Sequence, residues 1–210
     1  MTNHDENVST DRLARPGLMP EGIEALLNTS GRLDPRFLAR LIETCPEPDF
    51  VRFMRRPVLA GSAIQTGSLE QRHDRVRATN QTFVFALDGQ ESQDSTPEAL
   101  KRAVYPLIKR SYSPGAPNIL TIGRISDNDL VIPDMSISKR HAIIEISQDG
   151  YSIRDRDSTN GTLVNSTPVG QKPLGLQDGD SIAFARYEFV FLTPESLYER
   201  LTITASSPPE

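Results

Sequence analysis

Between residues 119 and 192 the chain is broken every few residues by turn signals, and the runs between them are too short for helices. These runs, at 119–122, 129–132, 142–147, 151–154, 162–165, 181–184 and 187–192, are rich in β-branched and aromatic residues. The breaks carry their own chemistry. Pro133-Asp134 stops one run, Asp149-Gly150 and Asn160-Gly161 tolerate positive φ, and Asp178-Gly179-Asp180 turns the chain into the last hairpin. In the final run Tyr187, Phe189 and Phe191 fall on one face and Val190 and Leu192 on the other. Many short strands at this spacing predict a β-sandwich, so the chain is read as mainly β. Residues 194–202 close it as a helix, with Thr193 as N-cap and Pro194 at the first helical position.

The N-terminal part has a different period. Residues 1–19 are polar and predict disorder. Residues 20–56 predict a small helical segment. Ile23, Leu26 and Leu27 share helical spacing before Asn28-Thr29-Ser30-Gly31. A second helix over 34–44 starts at the N-cap Asp34 with Pro35 behind it, presents Phe37, Leu38, Leu41 and Ile42 on one stripe, and is closed by Pro46 and Pro48. A short third helix spans 49–54. Whether these helices stand as a module or need a partner is left open by their pattern. Residues 57–80, with Pro57, Gly61, Gly67 and a mixed-charge run containing His73, read as a linker. The sandwich is expected over 81–203. Its first strand falls at 82–87, and an edge strand at 104–108 accommodates Pro106. Residues 204–210 form a disordered tail.

Three clusters sit where strands give way to turns: Gly123-Arg124, Ser138-Lys139-Arg140-His141, and Ser158-Thr159-Asn160-Gly161-Thr162. Together they supply a guanidinium, hydroxyls, a carboxamide and turn amides. A phosphomonoester has nearly two negative charges and three acceptor oxygens. The fixed fork of arginine suits it better than a lysine ammonium does. Asn160 has a donor and an acceptor, so it can pair with the backbone of an extended peptide. The kit grips a phosphate beside a peptide and lacks what is needed to break a bond.

Other chemistries fit less well. Ser138 and His141, with Asp155 or Asp157, resemble a hydrolase set on paper, but no G-x-S-x-G elbow is present. Asp149, Asp155, Asp157, Asp178 and Asp180 lack EF-hand spacing and read as turn residues. The single cysteine, Cys45, excludes an intrachain disulfide and disfavours a thiolate zinc site. No metal and no cofactor are expected. A net charge of −5 over 210 residues argues against nucleic acid as the main partner. Arg52, Arg55 and Arg56 are read as a solvated helix face. No apolar run approaches the roughly 20 residues of a membrane span, and the polar N-terminus shows no secretory leader. The expected location is cytoplasmic, with no membrane partner.

The pattern GR-x4-DLVI, SKRH and STNGT-x-x-N resembles the forkhead-associated (FHA) family, over about residues 80–203 with its motif core at 122–165. The resemblance implies an eleven-stranded FHA-type β-sandwich with a short C-terminal helix, here behind a small helical N-terminal segment. The layout resembles that of bacterial members. The resemblance also implies recognition of a Thr-phosphorylated protein or peptide through loops at one end. It makes Arg124 and Ser138 the phosphate contacts, with Thr159 assisting, Asn160 on the peptide main chain and Lys139 within reach of ligand. Gly123, His141, Gly161 and Asn165 shape the site. His141 is expected to brace its loop through a buried hydrogen bond. Ser136, Ile137 and the loop 166–168 are candidates for reading the peptide beyond the phosphothreonine. The implied function is a non-catalytic adaptor in Ser/Thr-kinase signalling, its partner a kinase or a kinase substrate. The alternative is a phospho-independent structural adaptor, or a scaffold regulated within the chain through Thr10, Thr29, Thr66, Thr79 or Thr96.

Overall fold

The computed structural model describes residues 22–62 and 100–206. The expected strand at 82–87, the disordered ends and most of the linker lie outside the described residues. Among the described residues, eleven strands form two sheets. The strands are β1 (Val58–Gly61), β2 (Val104–Pro106), β3 (Ile119–Gly123), β4 (Leu130–Val131), β5 (Ala142–Ser147), β6 (Gly150–Asp155), β7 (Thr162–Val164), β8 (Thr167–Val169), β9 (Leu174–Leu176), β10 (Ser181–Phe184) and β11 (Tyr187–Leu192). One sheet runs β2-β1-β11-β10-β7-β8 and the other β4-β3-β5-β6-β9. The fold is mainly β, a two-sheet sandwich.

Strand alternation builds two cores. Leu59, Tyr105, Ile182, Phe184, Phe189 and Phe191 face Leu120, Ile122, Ala142, Ile144 and Ile153 between the sheets. The opposite face of the first sheet carries Val58, Ala60, Val104, Val190 and Leu192. That face is covered by helices α1 (Pro35–Thr44), α2 (Glu47–Met54) and α3 (Pro194–Ser206) through Leu38, Leu41, Phe50, Met54, Leu197 and Leu201. The partner the N-terminal helices need is therefore this sheet face, and the architecture has three layers.

Local chemistry explains the helix ends. The Asp34 carboxylate accepts the Arg36 N–H at 2.8 Å, and Pro35 opens α1. Pro48 does not close the segment. It sits in the first turn of α2, where a missing N–H leaves no bond unmade, so that helix begins at Glu47. The spacing at 23–27 yields only one 3-10 turn, Ile23–Leu26. Thr193 Oγ1 accepts the Ser196 N–H at 3.3 Å and opens α3, which runs on to Ser206.

Within the stretch read as linker, Val58–Gly61 forms the strand between β2 and β11. It is buried on both faces and so shows no polar alternation. β2 lies at the sheet edge, where Pro106 costs no ladder bond. The N-terminal segment also meets the second sheet. The Val131 N–H donates to the Ser30 carbonyl at 3.0 Å, and Arg110 Nη1 donates to the Thr29 carbonyl at 2.8 Å. Across the main core the Tyr105 hydroxyl donates to the Val131 carbonyl at 2.8 Å, and burial pushes that phenol's pKa up. The β2 and β4 edges are thus tied to each other and to the N-terminal segment, and the loops after β3, β4 and β6 project from one end.

Candidate functional site

These three loops enclose a groove of about 400 Å³ lined by Arg124, Met135, Ile137, Ser138, Lys139, Arg140, Thr159 and Asn160. All five residues expected to touch ligand are in that lining.

Arg124 follows directly on β3. Its N–H donates to the Ser138 carbonyl at 3.1 Å, which ties the first loop to the second. The loops lie so close that a Cβ on Gly123 would run into the Lys139 carbonyl and the Asn128 carboxamide. Asn128 is buried and binds the Ile125 and Lys139 carbonyls through Nδ2 at 2.8 and 2.9 Å. Among the described residues the Arg124 guanidinium meets the Met135 thioether, at 3.1 Å from Nη1, and its buried Nε has no partner. Sulfur is a weak acceptor, so strong donors of this arginine remain unmatched among the described residues.

The Ser138 hydroxyl accepts the Thr159 N–H at 3.0 Å and lies 3.4 Å from Thr159 Oγ1. Two hydroxyls from facing loops thus stand side by side near a guanidinium. Lys139 is exposed, with no ion-pair or side-chain hydrogen-bond partner among the described residues. Arg140 pairs with Asp127 at 2.9 Å. Asn160 donates from Nδ2 to the Ser136 carbonyl at 2.7 Å, bridging the second and third loops. Cations and neutral polar groups line the groove, and no carboxylate does.

His141 is fully buried behind the groove. Its Nδ1 accepts the Ser138 N–H at 3.1 Å, which leaves Nε2 to donate to the Gly161 carbonyl at 3.0 Å. This geometry fixes the tautomer. Burial lowers the pKa below the usual imidazole value, outweighing the Gly161 hydrogen bond and the charge of Asp155. Both ring nitrogens are engaged by backbone, so neither is left to take a proton from the Ser138 hydroxyl.

Asp155 is committed elsewhere as well. It accepts from the Ser158 N–H and hydroxyl, each at 2.7 Å, and from the Thr162 hydroxyl at 2.6 Å. Burial would raise its pKa, but these bonds outweigh it and hold the carboxyl below its usual value. The Ser158 hydroxyl in turn accepts the Gly161 N–H at 3.0 Å. Asp155 thereby anchors the Ser158–Thr162 turn, in which Gly161 takes φ 78°. Asn165 stands apart from the groove at φ 48°, where its side chain binds Asp180 at 2.8 Å and accepts the Ser181 N–H at 2.9 Å.

Several residues here escape a sequence reading. Met135 and Arg140 line the groove, and Asn128, Asp134 and Asp155 hold its loops. The aspartate three residues before Ser158 fits an Asx-type turn and is the one visible signal. Ile137 lines the groove, but its side chain is only 1% exposed and packs in the core between the sheets. Residues 166–168 are exposed on the β7–β8 hairpin and do not line the groove.

The FHA domain family model matches residues 120–185. These residues carry a forkhead-associated domain. It is 34% identical over 91 residues to the oxoglutarate dehydrogenase inhibitor of Corynebacterium efficiens, covering 41% of this chain and 63% of that protein. It is 32% identical over 92 residues to the glycogen accumulation regulator GarA of Mycobacterium tuberculosis, covering 41% of this chain and 56% of that one. The chain thus spans somewhat over half of each. A solved structure of Mycobacterium tuberculosis EmbR in complex with a low-affinity phosphopeptide matches at 34% identity and TM-score 0.35, covering 37% of this chain and 20% of that one.

Proposed function

We propose that this protein is a phosphothreonine-dependent binding module that acts as an adaptor in Ser/Thr-kinase signalling and performs no chemistry on its ligand. The observation that carries this is one groove holding an unmatched guanidinium, two adjacent hydroxyls and a carboxamide. Arg124 supplies the fork for the phosphate, Ser138 and Thr159 donate hydroxyl hydrogen bonds to its oxygens, and Lys139 adds charge at the rim. Asn160 takes the peptide main chain. Gly123, His141 and Gly161 hold the three loops in place, and Asn165 holds the turn that follows. The recognition unit is the sandwich read as 81–203, extended by Val58–Gly61 and backed by the helical segment at 20–56. The relatives named as a dehydrogenase inhibitor and a glycogen accumulation regulator support a regulatory rather than catalytic role. Among the described residues no helix is long and apolar enough to cross a membrane. A cytoplasmic partner phosphorylated on threonine, a kinase or its substrate, fits the reading.

The test is a titration of matched Thr, pThr and pSer peptides from candidate partners. Binding is expected for the phosphothreonine form. Arg124→Ala should weaken it by about 2–4 kcal/mol, the scale of a charged hydrogen-bonded pair lost from a partly buried site. Equal affinity for Thr and pThr, or an unaffected Arg124→Ala variant, would refute it.

A further inference from the structure

We infer that Asp134, Tyr187 and Arg186 are positioning residues for the backbone clamp Asn160, acting on it through the Ser136 carbonyl. This rests on the phosphothreonine-peptide reading and extends it to residues outside the groove.

Asn160 is exposed. Its orientation comes from the 2.7 Å bond to the Ser136 carbonyl. A carbonyl only accepts, so Nδ2 must face Ser136 and Oδ1 must face away. The free oxygen and the second N–H then form a donor–acceptor pair, which is what an extended peptide backbone presents in complement. Freed from Ser136, the carboxamide would rotate, and binding would have to order it.

The residue that carries this carbonyl, Ser136, is itself held by a chain of bonds reaching back to the core. The Ser136 N–H and hydroxyl both donate to Asp134 Oδ1, at 2.8 and 2.6 Å. Asp134 Oδ2 accepts from Arg186 at 2.6 Å and from the Tyr187 hydroxyl at 2.7 Å. Tyr187 is buried among the residues between the sheets, at the start of β11. The Arg186 guanidinium lies 5.2 Å from the centre of the Tyr187 ring and closes the carboxylate from outside. None of these three side chains lines the groove. Whatever they do for a ligand passes through Ser136 and Asn160.

A double-mutant cycle in the full-length chain separates this role from a general structural one. The probe is a synthetic phosphothreonine peptide, selected from a degenerate phosphothreonine library by the wild type, with its unphosphorylated twin as control. Tyr187→Phe is expected to weaken binding about three- to tenfold when Asn160 is present, and by less than about twofold in the Asn160→Ala background. In the free protein, Tyr187→Phe is expected to shift the side-chain amide resonance of Asn160. Should Tyr187→Phe fold poorly, Arg186→Ala, at an exposed residue, carries the same expectations. Equal losses in both backgrounds, or no loss in either, would overturn the positioning role. A wild type that binds the phosphorylated and unphosphorylated peptides alike would overturn the phosphothreonine reading and this role with it. That result is distinct from a flat cycle, in which the wild type still selects the phosphopeptide.

Discussion

His141 donates from Nε2 to the Gly161 carbonyl at 3.0 Å while its Nδ1 accepts the Ser138 N–H at 3.1 Å. One buried ring thus joins the loop that carries Ser138 to the turn that follows Asn160. His141→Ala leaves an N–H and a carbonyl without partners and opens a void beside Phe184, whose ring centre lies 5.8 Å away. The expected loss of stability is about 2–4 kcal/mol by urea denaturation. The same ring gives a pH dependence. Its folded-state pKa lies below the ordinary 6.5, so around that value the unfolded chain binds more protons. This contribution is complete above pH 6.5 and is lost as pH falls toward the folded value. A His141→Asn variant should lack that slope in denaturation curves measured across the range.

Asp134 predicts a second, more acidic window. Burial alone would raise its carboxyl, but the hydrogen bonds from Ser136, Tyr187 and Arg186 outweigh it and hold the pKa at about 2, against an ordinary 3.8. The group is depressed on folding, so its stabilisation is present above 3.8 and lost as pH falls toward 2. The difference corresponds to about 2 kcal/mol. Asp134→Asn should remove this part of the acid transition and leave the imidazole-linked slope in place. Stability measured between pH 2 and 5 for both proteins checks it.

Two glycines of the site should respond unequally to alanine. At Gly161 the space around a new Cβ is empty, and the obstacle is φ 78° alone, worth about 1–2 kcal/mol. At Gly123 the new methyl would meet the Lys139 carbonyl, which belongs to the backbone and cannot swing aside. Gly123→Ala must therefore push apart the loops that present Arg124 and Ser138. The expected cost is about 3 kcal/mol, with phosphopeptide binding weakened beyond that of Gly161→Ala. Denaturation midpoints and peptide titrations of the two variants decide it.

The groove was largely legible because each of its loops keeps polar side chains next to turn chemistry: Gly123 beside Arg124, Ser138 three residues before His141, Asn160 before Gly161. The hairpin at Asp149-Gly150 and the alternation in β11 were visible for the same local reason. What escaped depends on distant partners. Val58–Gly61 is a strand because β2 and β11 flank it and both its faces are covered, which removes the alternation that marks a half-exposed strand. β8 and β9 are three residues each, mostly exposed and at sheet edges, so little apolar pattern marks them. Asp134 reads as an ordinary turn aspartate until Tyr187 and Arg186 arrive from residues far along the chain.

The three-layer packing predicts that the N-terminal helices and the sandwich unfold together. Phe50 is fully buried, its ring centre 5.2 Å from that of Tyr198 on α3, in the core that also holds Val58, Val190 and Leu192 of the first sheet. Phe50→Ala empties part of that shared core and is expected to cost about 3–5 kcal/mol. If the helices were an independent module, the loss would appear as an early transition of their own, with the sandwich melting unchanged. Because Val58, Ala60, Val104, Val190 and Leu192 depend on the helices for cover, one cooperative transition should move as a whole to lower temperature. Far-UV circular dichroism, which follows the helices, and tyrosine fluorescence should give coincident midpoints. None of the groove residues belongs to this core, so phosphopeptide affinity below the transition should stay within about twofold of wild type.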